Sequence, residues 1–73
     1  MTGAAKRPAL AIEFIERAID LEPRAWAYHS NLGNALSAAG QADAAIAAYR
    51  VAIALQPEAI DPRVNLGNAL KRS

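Results

Sequence analysis

The chain has 73 residues, a net charge of +1 and no cysteine. That length makes one small domain or a piece of a larger one, with about 60% of its unfolded surface buried on folding. The charge balance disfavours nucleic acid or an anionic membrane as partner, the missing thiols exclude disulfides and thiolate metal sites, and no apolar run approaches the roughly 18 to 20 residues that span a bilayer. The N-terminal stretch lacks the apolar segment of a secretory signal. No compartment can be assigned, though a cytoplasmic one is favoured.

Taken in chain order, the first predicted element is a helix from about Pro8 to Glu22, with Ala11, Ile12, Ile15, Ala18 and Ile19 as its apolar stripe. Pro23 ends it. The second runs from Trp26 to Ala39, with His29, Leu32 and Leu36 on one side and Gly33 beside them, and Gly40 supplies a residue that can turn left-handed past its end. The third runs from Ala42 to Leu55, with Ala45, Ile46, Tyr49, Ala52 and Ile53 on one stripe. Pro57 stops it, because proline cannot donate to the preceding turn. Asp61-Pro62 reads as an N-cap followed by proline at the first helical position, opening a fourth helix that ends near Arg72.

These helices repeat. The hexapeptide Asn-Leu-Gly-Asn-Ala-Leu occurs at 31–36 and again at 65–70, an offset of 34 residues. At the same offset Ala11 matches Ala45, Ile12 matches Ile46, Ala18 matches Ala52, Ile19 matches Ile53, Leu21 matches Leu55 and Pro23 matches Pro57. One phase without insertions is the signature of a duplicated unit, which must be tested before any other fold reading. The units are a second helix over 8–23, a complete two-helix unit over 24–57 and a first helix over 58–73. With A and B for the first and second helix of a unit, the order is B, A, B, A. Glycine in a helix interior costs about 1 kcal/mol relative to alanine, so Gly33 implies a close helix approach, expected against Ala45.

The pattern resembles the tetratricopeptide repeat, a 34-residue helix-turn-helix unit written W-x2-L-G-x2-Y, A-x3-F, P. Here it stands as His29-x2-Leu32-Gly33-x2-Leu36, Ala45-x3-Tyr49 and Pro57, followed by Arg63-x2-Leu66-Gly67-x2-Leu70 and preceded by Ala11-x3-Ile15 and Pro23. The departures are His29 and Arg63 in place of the opening aromatic, and Leu36 and Leu70 in place of tyrosine. The resemblance implies an all-α, right-handed superhelical solenoid fragment of about four helices. In such stacks the A helices line the concave wall.

On a helical wheel Ser30, Asn34 and Ser37 lie opposite Leu32 and Leu36, with Asn31 on the shoulder; one unit on stand Val64, Asn68, Lys71 and Asn65. The candidate peptide-binding residues are therefore Ser30, Asn31, Asn34, Asn65, Asn68 and Lys71. Asparagine offers a donor and an acceptor, which suits the backbone of an extended peptide. The repeats resemble those of O-linked N-acetylglucosamine transferase-type proteins, whose inner asparagine ladder would map onto Asn31 and Asn65. Another branch of the family clamps a carboxylate with Lys and Arg on this wall; Ser30, Val64 and Asp61 occupy the corresponding positions, so no clamp is expected.

The expected function is a protein-interaction module that binds an extended peptide or a partner protein on the A-helix face. No phosphate loop, metal-ligand cluster or carboxylate pair stands out, so neither catalysis nor a cofactor nor a metal is expected. Two alternatives remain: the repeat part of a larger enzyme such as a glycosyltransferase, and a self-assembling scaffold, as homodimer or head-to-tail oligomer. In the latter, the stripe of Ile12, Ile15 and Ile19 from one copy would meet Leu66 and Leu70 of another.

Overall fold

The computed structural model describes residues 3–72, with side chains described for residues 10–71. Its four helices are α1 (Gly3–Leu21), α2 (Trp26–Ala38), α3 (Ala42–Leu55) and α4 (Asp61–Arg72). The order is B, A, B, A as the 34-residue phase requires. Helix α1 begins five residues before Pro8, the proline read as its opening position. Ala4, Ala5, Lys6 and Arg7 are strong helix formers and carry the helix back through the proline, against the cost of a missing backbone bond and a ring crowded on the preceding turn. In α4 the first turn is shifted by one from the expected cap. The Val64 N–H donates to the Ile60 carbonyl at 3.0 Å, making Ile60 the cap and placing the fully buried Pro62 at the second helical position, where no donor is needed.

The turn after α2 closes on Gly40, whose φ is +81°. Gln41 N–H reaches the Leu36 carbonyl at 2.9 Å and Gly40 N–H reaches Ser37 at 3.0 Å. These are the paired bonds of a Schellman cap, and they need a residue without a Cβ at the left-handed position. The loops entering α2 and α4 are copies of one another. Ala25 N–H bonds the Glu22 carbonyl at 3.1 Å, and 34 residues on Ala59 bonds Gln56 at 3.0 Å. His29 Nε2 donates to the Pro23 carbonyl at 2.9 Å, and Arg63 Nε donates to the Pro57 carbonyl at 3.0 Å. The two residues that depart from the aromatic start of the repeat thus do the same work, each tying its helix to the loop six residues before it.

Each helix packs on its chain neighbours, and α2 also touches α4, whereas α1 and α3 do not meet among the described residues. The A helices therefore form the inner side of the curve. The shortest principal extent, 16 Å, fits two helix layers at an interaxial distance of about 8–10 Å. The core joins the layers: Leu36, Ala45, Ala48, Tyr49 and Ala69 are buried together, with Ile12, Leu32, Ile46 and Leu66 packed against them. Three of those five are alanines, so the helices gain stability by close approach more than by bulk.

Gly33 permits the closest approach. A methyl placed there would lie 2.6 and 2.7 Å from Cδ1 and Cζ of the Tyr49 ring. The neighbour is thus Tyr49, one turn along α3 from the expected Ala45, because the stagger of two antiparallel helices decides which side chain meets the gap. Gly67, at the same phase one unit on, has open space where its Cβ would be.

Candidate functional site

A cavity of about 270 Å³ opens between the two A helices. Asn34, Ser37 and Ala38 line it from α2, Asn65, Asn68 and Ala69 from α4, and Tyr49 closes its floor from α3. The 34-residue repeat explains the composition. Two copies of one polar strip face each other across the A-helix contact, and alanines between the amides keep the walls low. Every lining side chain is neutral. A charged ligand group would lose solvation there without meeting an opposite charge, whereas amide and hydroxyl groups would meet donors and acceptors of their own kind.

One bond organises the floor. The Tyr49 hydroxyl donates to Asn34 Oδ1 at 2.6 Å, at the short end of the range for O–H···O bonds. The Tyr49 ring is 3% exposed and held beside Gly33, so the hydroxyl is a fixed point. Sequence reasoning placed Tyr49 in the core stripe and left it out of the site. The available signal was its hydroxyl: a phenol where the repeat carries phenylalanine needs a partner when buried, and the amide of α2 can supply one.

The expected wall residues fall into three groups. Asn34, Asn65 and Asn68 come together in the cavity, Asn65 half-buried and the other two exposed. Asn31 and Lys71 are exposed but stand outside it. Ser30 departs from the expectation, being 4% exposed and part of the packed side of α2. A helical wheel assumes one covered side, whereas α2 has α1, α3 and α4 against it, which narrows its free strip to the residues nearest Asn34.

The residues expected to self-associate divide in a similar way. Ile12 and Leu66 already pack against the core of their own chain, Ile15 and Ile19 are half-buried, and Leu70 is 51% exposed. The larger apolar exposure on α1 lies on Leu10, Phe14 and Leu21. On α4 it extends from Leu70 to Val64, and on to the cap residue Ile60 before the helix.

Among the described residues no group of three or more His, Asp or Glu side chains gathers as a metal site would need, and no helix is long and apolar enough to cross a membrane. Comparison with protein-family profiles matches residues 33–73 to the TPR repeat, a match over more than half of the chain. No curated protein matches the chain.

Proposed function

The chain belongs to the tetratricopeptide-repeat family, whose repeats generally mediate protein–protein interaction, and from that premise we propose that it binds an extended, uncharged stretch of peptide in the groove between α2 and α4. The observation that carries the reading is the convergence of Asn34, Asn65 and Asn68, from helices one repeat apart, on one concave cavity without a charged wall. Backbone amides on one edge of an extended strand recur every second residue, about 6.6 Å apart, and can bond carboxamides along the groove without regard to side-chain identity. The likeness to O-linked N-acetylglucosamine transferase-type repeats supports the same mode, with Asn65 as the ladder residue inside the cavity and Asn31 as its exposed counterpart on α2. The role is one of recognition, with no catalysis assigned to these residues. The test is an NMR titration with a capped, uncharged octapeptide of Ser, Thr and Ala. Shifts at Asn34, Asn65 and Asn68 are expected; shifts confined to the outer helices, around Glu16 and Arg50, would overturn the reading.

A second reading is favoured by the open space at Gly67. At the equivalent Gly33 a tyrosine ring fills that space, and beside Gly67 stand the exposed Leu70 and Val64. A helix from a second copy of the chain would cover this face and produce a homodimer or a head-to-tail oligomer. The reading ranks second because of Phe14. This exposed ring occupies the position where the complete unit buries Ala48, so α1 presents a ring where the internal template packs a methyl.

A further inference from the structure

The carboxamide of Asn34 is not free to present either of its ends. A solvated asparagine can offer a ligand its oxygen or its nitrogen by turning half a revolution about its last torsion, at little cost. Here the oxygen is engaged by the Tyr49 hydroxyl, and that hydroxyl sits on a ring wedged between helices beside Gly33. Reversing the amide would exchange the short O–H···O bond for an N–H···O bond to the phenol oxygen and give up Asn34 Oδ1 as acceptor for the hydroxyl proton. The Nδ2 end is therefore the one left to face the groove.

We infer that Tyr49 is a positioning residue for the groove: by holding Asn34 Oδ1 it makes Asn34 a directional donor, so that the middle of the groove recognises a hydrogen-bond acceptor, a peptide carbonyl. This inference rests on the peptide reading above and adds polarity to it. Asn68, the equivalent on α4, is exposed and is held by no side-chain bond among the described residues, so the two helices differ in what they ask of the ligand: a set donor on the α2 side, an adaptable amide on the α4 side. A strand laid in the groove is then fixed in register by the carbonyl opposite Asn34. Alternate residues of an extended strand point their carbonyls to opposite edges, so that register also fixes which carbonyls face away.

Tyr49→Phe is the direct test, because it keeps the ring that fills the space at Gly33 and removes only the hydroxyl. In the free protein, 15N relaxation of the Asn34 side-chain amide should report an ordered group in the parent and a mobile one in Tyr49→Phe. With the capped Ser/Thr/Ala octapeptide as probe, Tyr49→Phe should weaken binding about threefold to tenfold, the size of one hydrogen bond. In an Asn34→Ala background the same tyrosine change should cost no further affinity, which a merely structural role of the hydroxyl would not produce. Asn34→Asp leaves the hydroxyl an acceptor but turns a second oxygen toward the ligand carbonyl, and should bind more weakly than Asn34→Ala. An Asn34 amide equally ordered in Tyr49→Phe, or an unchanged affinity of that variant for the probe, overturns the inference. A parent that gives no shifts in the groove with the probe overturns the peptide reading instead, while the amide dynamics of the free protein still decide whether Tyr49 positions Asn34.

Discussion

Gly33 and Gly67 are the same residue at the same phase of the repeat, and replacing each by alanine should move stability in opposite directions. Alanine in a helix interior is better than glycine by about 1 kcal/mol, and both sites collect that gain. At Gly67 nothing lies within 4 Å of the new methyl, so the gain stands alone and the variant should be stabilised by about 1 kcal/mol. At Gly33 the methyl would meet three atoms of the Tyr49 ring at less than contact distance. That ring cannot swing aside freely, because it is buried among α2 and α3 side chains and its hydroxyl is bonded to Asn34. Overpacking of this kind costs about 1–3 kcal/mol, with about 2–3 expected where no flexible end can yield, so after the helix gain is subtracted Gly33→Ala should be destabilised by about 1–2 kcal/mol net. For a domain of this size 1 kcal/mol corresponds to about 4–8 °C in Tm, and the pair should separate by more than about 8 °C. Thermal melts followed by circular dichroism at low protein concentration measure the difference. A Gly33→Ala variant as stable as the parent would refute the close contact with Tyr49.

The other expectations are equally direct. Replacing both Asn65 and Asn68 by alanine should abolish octapeptide shifts in the groove while leaving the melt within about 0.5 kcal/mol of the parent, as for surface changes generally. His29→Ala and Arg63→Ala should each cost about 0.5–1 kcal/mol, the value of one exposed hydrogen bond, and hydrogen exchange should speed up at Ala25 in the first variant and at Ala59 in the second. If a second copy covers α4, light scattering at tens of micromolar should give a mass above the 7.7 kDa of one chain, and Leu70→Glu should return it to that value. Leu70 serves better than Leu66 for this purpose, since Leu66 also packs into its own core.

The repeat was legible because its small residues and prolines keep one phase over the whole chain. Once Pro23 and Pro57 were matched, the ends of α1 and α3 followed from the missing proline donor. The inner wall was legible in part. Helical spacing brought Asn34 together with Asn68, and the 34-residue shift brought in Asn65. Ser30 was misplaced because a wheel records the direction of a side chain and not the number of neighbours a helix has; α2 has three. The partner of Gly33 was misplaced by one turn because no single sequence carries the stagger between two packed helices. Tyr49 was overlooked because its ring satisfied the core pattern completely, and the sequence does not show that its hydroxyl lies beside Asn34. His29 and Arg63 looked like losses of aromatic packing, and only the position of the Pro23 and Pro57 carbonyls reveals their use.

Those two side chains have a bearing on how such a molecule can change. An imidazole and a guanidinium share little beyond an N–H at the right reach, yet they close identical loops. Each bond ties an A helix to the loop before it, and neither residue lines the groove. Closing the loops and lining the groove fall to different residues. On the peptide reading proposed above, exchanging Asn65 and Asn68 would alter what the groove accepts without touching the bonds that close the loops, and exchanging residues 29 and 63 would leave the amide lining as it is.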